Sequence, residues 1–372
     1  MTNPLRPTWL EIDTGIIAEN VRRMCESTAE CVRLMAVVKA DAYGHGAVAV
    51  AHAALAAGAQ ALGVAMPEEG VRLREEGIGA PILVLGGISR EGAEVVAAYG
   101  LTQTVFDAET AHWLSEAAMA VGKPVRVHIK VDTGMGRIGV RDEKSLLALA
   151  DTIHGLPGVE LEGVYTHFAQ SDAGDLAYTH MQHQRFLDMT ANLLKAAPHL
   201  QVHAANSAAI LRAKDTHHDM VRAGIALYVP PQLPQQMDIG LRQAMRWATR
   251  AVYVKEIEPG DSVSYGSIFT AQRPTRVMTL PVGYADGYHR AIGGQGYALV
   301  RGQRAPVIGR VCMDQTMLDV TGIPEAAMAD EAVLLGSQGK EHISAHEMGT
   351  WCGMIDYEVL LSPSSRVPRV YL

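Results

Sequence analysis

Cysteine is scarce in this 372-residue chain: Cys25, Cys31, Cys312 and Cys352 are the only four. Their spacings match neither a zinc-ligand set nor a dense disulfide framework, so reduced and mostly buried thiols are the expectation. Long apolar runs are missing too. No stretch of about 18 residues is free of charges and breakers, which excludes a transmembrane helix. Basic blocks are absent and the formal net charge is −8, which argues against nucleic acid or an anionic membrane as the main partner. The opening MTNPLRPTWLEID has no apolar leader core and no small-residue cleavage site, and reads as the start of a cytoplasmic protein.

What is present is ample apolar content. Hydrophobic residues make up 48% of the chain and charged residues 19%, enough for a large core and inconsistent with disorder. The length points to two domains. Eight short apolar runs punctuate the first two thirds: LMAVVK (34–39), ALGVAM (61–66), PILVLG (81–86), TQTVF (102–106), VRVHIKV (125–131), VYTHF (164–168), VHAAN (202–206) and MVRAGIALY (220–228). Unbroken runs of this length suit strands buried on both faces of a parallel sheet. Helical patterns separate them. PEEGVRLREEG opens on Pro67 and two acids, DAETAHWLSEAAMA opens on Asp107 as an N-cap, and residues 176–195 read as one long helix. Strands and helices alternating in this way predict a (β/α)8 TIM-type barrel, with a doubly wound sheet as the alternative on pattern alone. Near residue 240 the character changes. WATRAVYVKEI, RVMTLPVG, YALVRG, APVIGRV, TMLDV and EAVLLG are short strand patterns split by glycine and proline, which predict a mostly β domain. DIGLRQAM reads as the junction.

A barrel gathers chemistry at the carboxyl ends of its strands. Lys39 ends the first run, Lys130 the fifth with Arg137 just beyond, and His167 the sixth; Asn206 and Ser207 end the seventh, and Arg222 lies on the eighth. One mouth would collect them all. A lysine entering an apolar mouth loses solvation, which lowers its pKa and favours the free amine needed for Schiff-base chemistry; position alone equally fits a lysine reaching out to solvent. GMGRIG (134–139) fits G-x-G-x-x-G, but it follows the fifth strand and not the first, so a dinucleotide site is not expected.

AVVKADAYGHG (36–46) resembles the cofactor-lysine motif of the alanine racemases. Ten further segments match that family in order: LGVAMPEEG (62–70), KVDTGMGRIG (130–139), THFAQSD (166–172), ANSAA (205–209), RAGIALY (222–228), VSYG (263–266), GYADGYHR (283–290), GRVCMDQ (309–315), MIDYE (354–358) and RVPRVY (366–371). The resemblance therefore covers the whole chain. It implies a barrel over residues 11–240 that binds pyridoxal 5'-phosphate. It also implies a β-rich C-terminal domain over 241–372, joined by residues 1–10, and a cytoplasmic homodimer whose subunits share their active sites. The implied reaction is two-base racemisation of L- and D-alanine, supplying D-alanine for cell-wall peptidoglycan.

By the same resemblance, Lys39 holds the cofactor as a Schiff base and serves as the base on one face of the substrate. Tyr265, given by the partner subunit, serves the other face. Arg222 hydrogen-bonds the pyridine nitrogen, and His167 and Asn206 also bind the cofactor. Tyr43, Ser207, Gly224, Ile225 and Tyr357 hold its phosphate. Arg137 and the backbone N–H of Met313 bind the substrate carboxylate, and Lys130 matches a lysine that is carbamylated in some members. No metal is implied. A serine or broad-specificity racemase is the near alternative, against which the bulk of Tyr357 argues. The family's related decarboxylases would need a cysteine–aspartate pair that VCMDQ only superficially resembles.

Overall fold

The computed structural model describes residues 6–29, 31–234 and 237–372. All eight apolar runs contribute strands: β1 (Arg33–Val37), β2 (Ala61–Val64), β3 (Ile82–Val84), β4 (Thr102–Val105), β5 (Val125–Lys130), β6 (Val159–Tyr165), β7 (Gln201–His203) and β8 (Met220–Ala223). They pair in parallel in chain order, and β8 returns to β1 with Arg33 opposite Met220, closing a barrel. The barrel is the architecture expected, and the doubly wound alternative falls. Several strands are shorter than their apolar runs. β1 stops at Val37, β6 at Tyr165 and β7 at His203, so Lys39, His167 and Asn206 sit in the loops beyond the strands.

The inside of the barrel is divided. Met35, Ala61, Leu83 and Met220, from β1, β2, β3 and β8, form an apolar cluster with Leu85 against it. The other side is polar. Thr104 on β4 bonds the Tyr165 hydroxyl on β6 at 2.8 Å, and His128 on β5 meets His203 on β7 at 2.8 Å. These pairs skip a strand, so they must cross the barrel interior.

The helices begin where the sequence signals them. Pro67–Glu75 carries Pro67 in its first turn, where its missing N–H costs nothing, with Glu68 and Glu69 beside the positive helix end. Asp107 accepts the backbone N–H of Thr110 at 2.7 Å and caps Ala108–Val121, which ends on a left-handed Gly122. The long helix spans Ala177–Ala196.

The chain divides into two compact units. The barrel unit holds Ile17–Ala42 and Ala47–Arg242; the other holds the described residues through Ile16, the short segment Tyr43–Gly46, and Gln243–Leu372. The second unit is built on a ten-stranded sheet. Its centre runs Thr316–Asp319, Gln303–Ile308, Tyr297–Val300, Glu331–Gln338, Met245–Arg250, as the short strand patterns predicted. Thr8–Ile12 adds antiparallel to Met245–Arg250 and parallel to Arg369–Tyr371 near the two chain ends. Fully buried Asp286 receives Arg6 through both guanidinium nitrogens, at 2.5 and 2.7 Å, which fixes the amino-terminal segment to this unit. Among the described residues no helix is long and apolar enough to cross a membrane, and no cluster of His, Cys, Asp or Glu could hold a metal ion.

Candidate functional site

Two residues past β1, at Lys39, the backbone turns the wrong way. Ala40, Asp41, Ala42 and Tyr43 all have φ between 52° and 54°, a full left-handed turn, and Gly44 and Gly46 follow at 83° and 95°. For residues with a Cβ this conformation costs roughly 1–2 kcal/mol each, so surrounding contacts must hold it. The Glu69 carboxylate accepts the N–H of Ala40 at 2.5 Å and of Ala65 at 2.7 Å. The Asp41 carboxylate accepts the N–H of Ala47 at 2.9 Å. Gly44 has no room for a side chain, because a Cβ there would stand 2.5 Å from the Leu360 carbonyl. Strain of this kind, held by its neighbours, is typical of functional loops. Lys39 is half-buried at the start of this turn. Burial lowers its pKa first, the nearby Arg137 cation lowers it further, and Glu69 opposes both.

The glycine-rich turn after β5 serves to present Arg137. Asp132 accepts the N–H groups of Gly134 and Gly136 at 3.1 and 2.9 Å, and the turn folds back so that Val140 donates to the Lys130 carbonyl at 3.0 Å. Gly139, at φ 130°, lies against this backbone; a Cβ there would be 2.6 Å from the Asp132 nitrogen. Arg137 at the tip is exposed, while Lys130 at the strand end is buried, its ammonium 4.2 Å from the Tyr165 ring centre. Burial, then Arg222 and Arg137, push the Lys130 pKa well below that of an ordinary lysine, with Asp132 opposing.

Arg222 on β8 is buried and densely bonded. Its Nη2 donates to the Thr166 carbonyl at 2.7 Å, the Ala204 carbonyl at 2.9 Å and His167 Nδ1 at 3.3 Å; its Nη1 donates to His203 Nδ1 at 2.9 Å. Burial brings its pKa down to about 10, with Tyr165 opposing, so it remains a cation at neutral pH. His167 is held well below its usual pKa by desolvation and then by Lys130, Arg222, Arg137 and Lys39. Its imidazole is therefore neutral, consistent with Nδ1 accepting from Arg222.

Ser207 opens the short helix Ser207–Arg212, and its Oγ accepts the N–H of Gly224 at 2.8 Å and of Ala226 at 3.4 Å. This ties the β7 and β8 loops into one cradle of small residues that includes Gly224 and Ile225. The Asn206 side chain caps the helix, accepting from Ala209 N–H at 3.1 Å and from the Ser171 hydroxyl at 2.7 Å. These bonds set where Ser207 stands.

Four residues of the sequence-based set belong to the second unit. Tyr43 is buried and packs its ring 5.8 Å from that of Tyr357. Burial, then Tyr357, raises the Tyr43 phenol above its usual pKa. Tyr265 stands on a turn with Ser264, Gly266 and Ser267 all at positive φ, and is 73% exposed. Met313 is exposed on a loop pinned by Tyr284 N–H to the Cys312 carbonyl and Ala285 N–H to the Met313 carbonyl, both at 3.0 Å.

The barrel mouth thus brings together Lys39, Lys130, Arg137, His167, Ser207 and Arg222. Sequence reasoning passed over Thr166, Tyr165 and His203, the residues that hold Arg222; the signal was a histidine inside an apolar strand run. Four cations stand within electrostatic reach of His167, and a seryl hydroxyl with small-residue loops lies on the last two strands. The nearest carboxylates, Asp132 and Glu69, already accept backbone N–H groups. Such a donor set suits an anionic ligand bearing a phosphate and an aldehyde, and pyridoxal phosphate fits it.

The strain after Lys39 has a measurable consequence. Ala40→Gly relieves a left-handed alanine and is expected to leave the thermal midpoint unchanged or raise stability by up to about 1 kcal/mol. Ala40→Val should lower stability by more than about 1 kcal/mol, since a β-branched residue tolerates positive φ least. Equal destabilisation by both would show that the turn is not strained.

Comparison with known proteins agrees with the fold. The models of the alanine racemase N-terminal domain and C-terminal domain match residues 12–231 and 244–371. The alanine racemase of Halothermothrix orenii is 45% identical over 368 residues, 98% of this chain and 97% of its own length. That of Desulfovibrio desulfuricans is 46% identical over 369 residues, 99% of this chain and 98% of its own. The crystal structure of the Bacillus anthracis alanine racemase with bound L-Ala-P superposes with a TM-score of 0.93 at 37% identity, covering 100% of this chain and 96% of that one. The crystal structure of the alanine racemase from E. faecalis gives a TM-score of 0.92 at 35% identity, covering 100% of both chains. With both domain models matched in order and relatives this similar over nearly the whole length, the chain belongs to the alanine racemase family.

Proposed function

We propose that this protein interconverts L- and D-alanine with pyridoxal phosphate, and that its D-alanine enters cell-wall peptidoglycan, the role the resemblance implies. The observation that carries the chemistry is a half-buried, pKa-lowered Lys39 set at a barrel mouth lined by cations and a hydroxyl-bearing cradle. When bound, the cofactor draws electrons from the bonds at the substrate Cα, so that the Cα proton can leave.

The chain's own residues do the rest. Lys39 holds the cofactor covalently and takes or returns the Cα proton on one face, a role that its lowered pKa favours. Tyr265 does the same on the opposite face, so that a proton lost on one side and regained on the other inverts the centre. Its 73% exposure in the isolated chain supports delivery to a second copy, and so a homodimer. Arg222 would offer one of its N–H groups not already bonded to the protein to the ring nitrogen. Because a guanidinium does not give up its proton, Arg222 would donate a hydrogen bond there without transferring a proton. Ser207, Gly224 and Ile225 would hold the phosphate, and the resemblance implies Tyr43 and Tyr357 as phenolic donors to it. Arg137 and the Met313 N–H receive the substrate carboxylate. His167 stays neutral beside Arg222.

Lys130 is proposed to carry a carbamate. Its buried amine is held toward the neutral form that adds carbon dioxide, and the anion formed would sit by Arg222 and Arg137, which now disfavour the ammonium. In protein equilibrated with 13C-bicarbonate, a carbamate carbon signal that Lys130→Ala lacks is expected; a wild-type spectrum without it would remove the modification.

Borohydride reduction of the loaded protein followed by peptide mapping should find pyridoxyl only on Lys39, and on no residue of Lys39→Ala. In deuterium oxide the wild type should exchange the Cα hydrogen of both alanine enantiomers. Tyr265→Phe should keep the reducible cofactor and lose racemisation by about a hundredfold or more. A label elsewhere, or unimpaired racemisation by Tyr265→Phe, would contradict the assignment.

A further inference from the structure

The Arg222 guanidinium does not end its contacts at His203. His203 Nε2 lies 2.8 Å from His128 Nδ1, and His128 Nε2 lies 3.1 Å from Glu162 Oε2. The direction of every proton in this row follows from its ends. A guanidinium only donates, so His203 Nδ1, facing Arg222, must accept. A neutral imidazole then carries its hydrogen on Nε2, which donates to His128 Nδ1. His128 in turn carries its hydrogen on Nε2, which donates to Glu162. A carboxylate only accepts, so it is the right terminus. Reversing the row would set an N–H of His203 against an N–H of Arg222. Doubly protonating either histidine creates the same donor–donor clash at one of its contacts.

Two independent features show that the row is built. Strand pairing between β5 and β6 runs Val127 to Leu161, then His128 to Gly163. Glu162 is therefore the extra residue of a bulge, a device that is rare between parallel strands and that re-aims a side chain. Gly163 is the second feature. A Cβ there would stand 2.8 Å from two atoms of the His128 ring and 2.7 Å from the Gln201 carbonyl, so the two histidines meet across a strand only because that position has no side chain. The Tyr165 ring, stacked on His203 at 4.5 Å and 4°, fixes the plane of the second imidazole.

We propose that Glu162 is a positioning residue for Arg222: through His128 and His203 it sets both tautomers, so that the arginine meets an acceptor and keeps one orientation. The proposal rests on the reading that Arg222 faces the cofactor ring nitrogen. Glu162 reaches Arg222 only through the two histidines. Its side chain is 26% exposed; the groups that face it are the neutral His128 imidazole and two cations, Arg126 with Nε at 3.7 Å and Arg33. The His128 hydrogen bond is the main cause that holds its carboxyl below the usual range, so it is ionised at neutral pH.

The test uses full-length, pyridoxal-phosphate-loaded protein labelled with 15N-histidine, read by long-range 1H–15N NMR, with His128→Gln and His203→Gln for assignment. Both imidazoles should be neutral with the hydrogen on Nε2. Glu162→Leu should shift the His128 tautomer, move the visible absorption band of the bound cofactor, and lower kcat for alanine by about tenfold or more with a smaller change in KM. Glu162→Gln, whose amide oxygen still accepts from His128, should restore all three. An Nδ1–H or doubly protonated His203 in the wild type overturns the row, and this needs no variant to fold. Unchanged spectrum and kcat in a folded Glu162→Leu overturn the positioning role. The expected tautomers in a protein that takes up no cofactor would sink the cofactor reading and leave the row standing.

Discussion

Four cations at one end of a barrel are the constraint that the rest of the site answers to. Lys39, Lys130, Arg137 and Arg222 all bear on the His167 imidazole, and each burial there makes a charge more costly. The protein relieves this in three ways. Lysines are pushed toward the neutral form, which is the form that makes covalent bonds. Arg222 stays charged because two carbonyls and two neutral histidines receive its hydrogens. An anionic ligand would supply the remaining countercharge, since Asp132 and Glu69 are already bonded to backbone. Positive charge without a resident partner is thus what selects a phosphate-bearing cofactor and a carboxylate-bearing substrate.

The closed barrel allows this arrangement because its interior is partitioned. The apolar cluster of Met35, Ala61, Leu83 and Met220 fills one side. Polar side chains from β4 to β8 fill the other, with Thr104–Tyr165 and His128–His203 bonded across the lumen and Arg222 bonded to His203 on the neighbouring strand. A buried polar network of this kind is stable only when complete. Gly163 and the bulge at Glu162 are where the backbone gives way to complete it.

Much of this was legible from the residues. Runs such as PILVLG and ALGVAM are buried on both faces along their strands and therefore carry no alternation, which is why they read as parallel barrel strands. Asp107 and Pro67 marked helix starts because capping chemistry is local. The mouth followed from strand ends, although Lys39, His167 and Asn206 proved to lie two or three residues beyond them. The left-handed turn after Lys39 was not legible. Ala40 and Ala42 have no preference for positive φ and Asp41 only tolerates it, and the turn exists because Glu69 and Asp41, among others, hold it. Nor was the row from Arg222 to Glu162, since His128 and His203 sit in apolar runs and a bulge leaves no mark in a single sequence.

The central claim is that this mouth racemises alanine in preference to other amino acids. Circular dichroism of L-alanine, L-serine and L-lysine, each incubated with the pyridoxal-phosphate-loaded protein, tests it most directly. The account predicts that optical activity is lost fastest with alanine. Faster loss with serine or lysine would contradict the substrate, and no loss with any of the three, the cofactor remaining bound to Lys39, would contradict the reaction.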